Sequence, residues 1–322
     1  MNHPSTLSVR VARKQREALD IESFELVAAD GAALPAFTAG AHVDVHLPGG
    51  LVRQYSLCNS PGETHRYQMA VLRDAHSRGG SQAMHDLVHE GDTLQISPPR
   101  NHFALAPDAQ RHVLLAGGIG VTPLLCMAEQ LVSTAANFEL HYCARSRKRT
   151  AFEARIANST LAPHVKFHWD DGPAQDRLAL EVLLAQSQAG VHVYVCGPKG
   201  FMDAVLGAAR GMGWPEQQLH CEFFAGETER PVDANSFEVQ LASSGRVVRV
   251  PPDQTVVQAL AACGIEIQTS CEQGVCGTCL TRVLEGVPDH KDLYLTPEEH
   301  AANDQFLPCC SRAQSARLVL DL

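Results

Sequence analysis

Three cysteines fall within nine residues in CEQGVCGTC, at Cys271, Cys276 and Cys279, and two more stand at Cys309 and Cys310 near the end of a chain of 322 residues. Taking Cys309 as the fourth partner gives the spacing C-x4-C-x2-C-x29-C. Its x4 and x2 gaps are those of a plant-type [2Fe-2S] ferredoxin loop. Sulfurs bound to such a cluster carry excess negative charge and are stabilised by backbone N–H groups aimed at them, so the loop has to wrap tightly. Gly274 and Gly277 permit the dihedrals that wrapping needs. A structural zinc site also takes four cysteines, but usually as two close pairs rather than three ligands in one loop and one far away. The cluster is the expectation and zinc the alternative. Cys310 competes for the fourth place. Along a strand a displacement of one residue turns the side chain to the opposite side, and Cys309 is the expected ligand. The remaining six, Cys58, Cys126, Cys143, Cys196, Cys221 and Cys263, mostly lie in apolar runs and read as ordinary buried thiols.

A carrier of single electrons needs a donor. Upstream, AGGIGVTP places Gly117, Gly118 and Gly120 between a strand-like and a helical run, where backbone N–H groups can hold a pyrophosphate and the Thr122 hydroxyl can add to them. A tight strand-to-helix turn is the plainer reading of this run, which is not the G-x-G-x-x-G fingerprint. CGPKGFM supplies a second glycine turn, with Cys196, Gly197 and Pro198, at the same expected sheet edge, and together the two turns point to a dinucleotide. Nearer the N-terminus, RQYSL offers a cation (Arg53), an aromatic face (Tyr55) and a hydroxyl (Ser56). SRGGS, residues 77–81, could wrap a phosphate with backbone amides and the Ser81 hydroxyl. In isolation either motif could be a strand and its turn.

The elements that must position these residues change character along the chain. The first hundred residues read as short strands punctuated by Pro and Gly. Val43, Val45 and Leu47 alternate with His and Asp in AHVDVHLPGG, and RQYSLCN and YQMAVLR follow at strand length, which suggests a small antiparallel barrel. Around Pro107 the pattern becomes a buried strand over 112–116, a glycine turn, and an apolar helix whose start is marked by Thr122 and Pro123. FELHYCA, HVKFHW and VHVYVCGP are further strands, with helical runs such as RLALEVLLAQ between them, so a parallel sheet covered on both faces is expected. Residues 225–236 are polar and read as a linker. Beyond them Phe237, Val239 and Leu241 alternate, turn at Ser243 to Gly245, and alternate back at Val248 and Val250. Thr255 then caps the helical run VVQALAACG, which Gly264 ends. The expectation is three domains, at 1–106, 107–228 and 229–322.

A content of 45% hydrophobic and 19% charged residues fits a folded soluble chain. No run approaches the roughly 18 apolar residues of a membrane span, and the first residues lack the apolar core of a signal peptide. Eleven cysteines without an export signal argue for metal binding or free thiols, which fits the cytoplasm. A net charge of −10 disfavours nucleic acid and anionic membranes as partners. From Glu229 onward 7 Lys and Arg face 13 Asp and Glu, so the tail is an acidic unit. The sixteen histidines form no pair at ligand spacing, and His141, His168 and His192, in or beside apolar strands, read as core or rim residues.

In order, RQYSL, SRGGS, PPRNHF, AGGIGVTP, CGPKGFM, CEFF, CEQGVCGTC and CCSRA closely resemble the motifs of the phthalate dioxygenase reductase family, over essentially the whole chain. The resemblance implies an FMN-binding antiparallel β-barrel, an NADH-binding α/β domain with a parallel sheet, and an α+β β-grasp ferredoxin domain carrying the [2Fe-2S] cluster. It implies that Arg53 holds the flavin phosphate, Tyr55 packs on the ring system, and Ser56 lies near its N5, with Leu57 beside them. Gly79, Gly80 and Ser81 would complete the phosphate site. Gly117, Gly118, Gly120, Thr122, Cys196, Gly197 and Pro198 would frame the nicotinamide nucleotide. Phe224 would close the flavin site, and Cys271, Cys276, Cys279 and Cys309 would hold the cluster. The implied activity passes electrons from NADH through FMN and the cluster to a separate Rieske non-haem iron oxygenase, a dioxygenase or demethylase of aromatic acids, with the reductase as a monomer. A cytochrome or other carrier as acceptor is the alternative, and a zinc or redox-sensing module a remote one. Arg145, Arg147, Lys148 and Arg149 stand where a 2′-phosphate could bind, so NADPH is the alternative to NADH.

Overall fold

The computed structural model describes residues 6–75, 77, 79–185, 189–224 and 236–322. Contacts within the chain gather residues 1–224 into one compact unit and 225–322 into another. Most of the expected linker, and the expected boundary between 228 and 229, lie outside the described residues.

The first unit opens with five strands, β1 (Leu7–Ala18), β2 (Ile21–Ala28), β3 (His42–His46), β4 (Val52–Ser56) and β5 (Tyr67–Leu72), then helix α1 (Gly80–Leu87) and strand β6 (Thr93–Ile96). They form one antiparallel sheet in the order β4-β3-β6-β1-β2-β5. The sheet closes on itself where Leu57, just past β4, bridges Met69 of β5, which removes the exposed edges. The strands of AHVDVHLPGG depart from simple alternation. His42 and Asp44, expected outward, are buried. Asp44 is stabilised there by an ion pair with Arg100 and by the Ser97 hydroxyl, which accepts its backbone N–H. A charged residue inside a strand is tolerated when it is paired in this way.

The same unit continues with β7 (Arg111–Gly117), α2 (Val121–Ser133), β8 (Asn137–Ala144), α3 (Glu153–Ala157), β9 (Val165–Trp169), α4 (Leu180–Leu183), β10 (Val191–Cys196), α5 (Lys199–Gly211) and β11 (Leu219–Glu222). The five strands are parallel in the order β11-β10-β7-β8-β9. One face is covered by α2, whose Leu124, Leu125 and Leu131 share a continuous core with the barrel, and the other by α5 through Met202, Val205 and Ala209. Helix α2 begins ahead of the expected Thr122, because the one-turn 3-10 helix of Gly118–Gly120 runs straight into it. The run RLALEVLLAQ is helical only over Leu180–Leu183.

In the second unit β12 (Phe237–Leu241) and β13 (Val247–Val250) make the expected hairpin. They are followed by α6 (Val256–Ala261), β14 (Thr281–Glu285), β15 (Pro288–Asp289), α7 (Pro297–Ala302), β16 (Gln305–Phe306), β17 (Arg312–Ala313) and β18 (Arg317–Leu320). The sheet order β13-β12-β18-β14-β16, parallel only between β12 and β18, with α6 on one face, is the α+β grasp expected for this segment. Thr255 opens α6 with a capping box: its hydroxyl accepts the Gln258 N–H and the Gln258 side chain accepts the Thr255 N–H. We expect Thr255→Ala to lower the stability of this unit by about 1 kcal/mol in denaturant unfolding, because the Gln258 N–H at the helix start loses its partner.

Candidate functional site

Three sets of side chains gather at strand ends. At the end of β4, Ser56 Oγ donates to Glu222 Oε2, at the end of β11, over 2.9 Å. The Glu222 side chain is only 15% exposed. Burial pushes its carboxyl up to about 7 against the opposing pull of the Ser56 hydroxyl. His42 Nδ1 lies 3.9 Å from Glu222 Oε1. Burial, then the charges of Arg100 and His102, push the His42 imidazole down to about 3, so the two groups do not form an ion pair at neutral pH. Neither His42 nitrogen has a hydrogen-bond partner. Beside them Tyr55 is held as the neutral phenol, chiefly by burial. Glu222 and His42 were not among the expected site residues. The signal for Glu222 was there, an acid placed inside the apolar strand run of CEFF.

A second cradle lies at the start of α1. Gly79 has φ 90 and ends the approach, and a Cβ on Gly80 would fall 2.5 Å from Arg53 Cγ and 2.8 Å from its Nε. The missing side chain lets the Arg53 stem cross the helix start, where unpaired N–H groups and a cation meet, so the residues fit an anionic phosphate. Ser81 Oγ accepts the Asp74 N–H, which ties the turn to the strand before it. Arg78 lies outside the described residues. Leu57 is fully buried and serves the barrel closure. Phe224, 37% exposed, is the last described residue of the first unit.

The third set is the pair of glycine turns at the carboxyl ends of the adjacent strands β7 and β10. A Cβ on Gly120 would lie 2.2 Å from the Cys196 carbonyl oxygen, and one on Gly197 would lie 2.9 Å from Gly117 Cα. The two turns therefore touch backbone to backbone, and Pro198 starts α5 directly beside Gly117. The arrangement leaves a sheet-edge crevice of the kind that takes a nucleotide. Cys196 is fully buried there. Thr122 is 1% exposed and its hydroxyl donates to the Ile119 carbonyl over 3.1 Å, so it holds the turn together.

In the second unit the loop after Ser270 takes left-handed backbone at Glu272, Gly274 and Gly277. A Cβ on Gly274 would strike Cys310 Sγ at 2.4 Å, and one on Gly277 would enter the Tyr294 ring at 2.3 Å. The turns aim backbone N–H groups at sulfur: those of Gln273, at 3.3 Å, and Val275 reach Cys271, and that of Gly274 reaches Cys309. Cys271, Cys276, Cys279 and Cys309 are all buried, whereas Cys310 is half-buried and turns its thiol to the Leu307 carbonyl. The four thiols form two pairs. The Cys276 thiol is drawn down to about 6 by the Cys271 thiol, and Cys309 to about 4 by those of Cys279 and Cys310. As the donors, Cys271, Cys279 and Cys310 are pushed up. A single zinc ion would draw all four sulfurs to about 3.8 Å of one another. The two thiol pairs, gathered at one buried loop, fit the four ligands of a [2Fe-2S] cluster.

His141, His168 and His192, expected as core or rim residues, are partnered. His141 bonds His168 at 2.9 Å and Glu139 at 3.1 Å, and His192 bonds His220 at 2.8 Å.

A barrel with an anion cradle, a nucleotide-type sheet edge and a two-pair cysteine loop define a flavin and iron-sulfur oxidoreductase. The chain belongs to the phthalate dioxygenase reductase family. Residues 239–314 match the 2Fe-2S iron-sulfur cluster binding domain, and residues 93–219 match the N-terminal domain of the dimethylamine monooxygenase subunit DmmA-like family. The chain is 54% identical to a vanillate O-demethylase oxidoreductase of Pseudomonas sp. (strain HR199 / DSM 7063), over 98% of this chain and 100% of that protein. The solved phthalate dioxygenase reductase, described as a modular structure for electron transfer from pyridine nucleotides to [2Fe-2S], superposes with a TM-score of 0.78 at 38% identity, covering 99% of this chain and 98% of that one. A type IV self-sufficient cytochrome P450 monooxygenase superposes with a TM-score of 0.84 at 41% identity, covering 98% of this chain and 41% of that one.

Two measurements check the site. Between pH 4.5, the ordinary glutamate value, and about 7, folded Glu222 keeps a proton that the unfolded chain has released, so its contribution to stability falls as pH rises through that window. In thermal melts on either side of the window, Glu222→Gln should lose this decline; an unchanged pH dependence would remove the buried carboxyl from the account. For the loop, iron analysis of Cys309→Ser should show the cluster lost and the flavin retained, whereas Cys310→Ser keeps its iron.

Proposed function

We propose that this chain is the NADH-dependent reductase component of a two-component oxygenase, feeding a Rieske non-haem iron partner that acts on a methoxylated aromatic acid of the vanillate type. The order of the three sites along one chain carries the reading, and the 54% identity to a vanillate O-demethylase oxidoreductase narrows the acceptor. When bound, FMN takes up a hydride's two electrons and gives them out singly, and the [2Fe-2S] cluster carries one at a time.

The chain's own residues bind, align and shield. Arg53 and the start of α1, with Gly79 and Gly80, hold the flavin phosphate. Tyr55 offers its ring face, the Ser56 hydroxyl donates to Glu222 Oε2, and the Glu222 carboxyl exchanges its own proton near neutral pH. The turns at Gly117 to Gly120 and Cys196 to Pro198 take the nicotinamide nucleotide. Cys271, Cys276, Cys279 and Cys309 would hold the cluster, and their burial would keep water from the sulfurs.

Two of the four basic residues after β8 are already neutralised. Arg147 forks onto Glu153 at 2.7 Å, and Arg149 pairs with Asp20 at 3.2 Å. That supports NADH over a nucleotide bearing a 2′-phosphate. The fused cytochrome P450 monooxygenase that shares this module makes a haem protein the second reading of the acceptor.

The test is reconstitution. The holoprotein mixed with a vanillate-type Rieske oxygenase should consume vanillate with NADH and not with NADPH. Because the cluster-bearing segment is acidic, the rate should fall as salt is raised. Electron flow to a cytochrome P450 but not to the Rieske protein would move the acceptor to the second reading.

A further inference from the structure

Behind the cysteine loop, a buried carboxylate faces two histidines. Asp292 has no side-chain exposure. Its Oδ2 accepts the Leu295 N–H at 2.9 Å and lies 3.1 Å from His300 Nε2, and its Oδ1 accepts the Ser311 hydroxyl at 3.3 Å. Among the described residues the only basic side chains within 4.0 Å of it are the two imidazoles, His300 and His290. A buried carboxylate is costly without a cation close by.

The His290 ring is oriented to leave a lone pair in this space. It is 10% exposed, and its Nε2 lies 3.2 Å from the Asn303 amide oxygen. An amide oxygen can only accept, so Nε2 carries a proton, and in the neutral ring Nδ1 is the bare nitrogen. That Nδ1 has no hydrogen-bond partner and stands 3.6 Å from Asp292 Oδ1, acceptor against acceptor. The two rings stack with centroids 4.3 Å apart. One ligand atom from each of His290, Asp292 and His300 lies within 4.8 Å of the other two. Two lone pairs facing each other in a buried space call for a positive charge between them. A ligand histidine whose other N–H is held by a carbonyl oxygen is the arrangement that orients an imidazole on a metal.

We propose that His290 Nδ1, Asp292 and His300 Nε2 form a binding site for a borderline divalent transition-metal ion, for which zinc is the probe, separate from the four cysteines. Two imidazoles and a carboxylate suit zinc and its neighbours rather than calcium or magnesium, and three ligands leave one position for water. Zinc bonds of about 2.0–2.2 Å require the triad to close slightly. His300, 31% exposed on the short helix α7, is the ligand with room to move. The site would brace the cluster loop. Asp292 Cα lies 2.9 Å from where a Gly274 Cβ would stand, and the Leu293 N–H donates to the Gly274 carbonyl at 2.9 Å.

The test uses the iron-loaded chain, cleared of loosely bound metal by a mild chelator and then equilibrated with micromolar free zinc. Metal analysis after gel filtration should find one zinc per chain with the iron unchanged. His300→Ala should weaken zinc binding by at least about 10-fold, as should Asn303→Gly, which keeps the left-handed backbone at that position while removing the amide that orients His290. The cluster's visible spectrum reports that each variant is folded. No zinc in the wild type, zinc gained only as iron is lost, or equal zinc in wild type, His300→Ala and His290→Ala would each overturn the proposal, the first leaving the triad a hydrogen-bonded prop.

Discussion

Four thiols have to meet in a buried place although Cys309 is thirty positions from Cys279, and each sulfur that ligates a metal must do so as an anion. Most of the second unit's local geometry follows from that constraint. The backbone turns left-handed at Glu272, Gly274 and Gly277 so that N–H groups point inward at the sulfurs. Gly274 and Gly277 have no room for a side chain because Cys310, Asp292 and Tyr294 are packed against them. The sheet brings β14, after the loop, beside β18 and β16, and so returns the chain to Cys309.

The first unit meets a different electrostatic demand with the same device, backbone brought close where a side chain is missing. Gly80 lets Arg53 lie across a helix start, and Gly117, Gly120 and Gly197 let two strand-ending turns touch. Burial pushes the Glu222 carboxyl up to about 7 and the His42 imidazole down to about 3.

Much of this was legible in residues 53–57, 79–81, 117–122, 196–198 and 271–309, because glycine and cysteine at fixed spacing state their geometry directly. The alternation of the hairpin and the capping box at Thr255 were equally plain. What stayed hidden depends on residues that meet only after folding. Glu222 sits 166 positions from Ser56, so its place in the apolar run CEFF hinted at burial but not at the hydroxyl it meets. His290 and His300 are ten positions apart and share no helix or strand, and a turn into α7 brings them to Asp292. His42 and Asp44 broke the expected alternation because Arg100, far along the chain, supplies a partner inside. Thr122 looked like a ligand hydroxyl, and its hydroxyl is engaged by the turn it sits in.

The account rests on a relay of two electrons in and one electron at a time out. An anaerobic titration of the holoprotein with NADH, followed in the visible spectrum, tests it most directly. Loss of both the flavin and the iron-sulfur absorption at near-stoichiometric NADH is the result the account predicts. A flavin that bleaches while the cluster stays oxidised would contradict it.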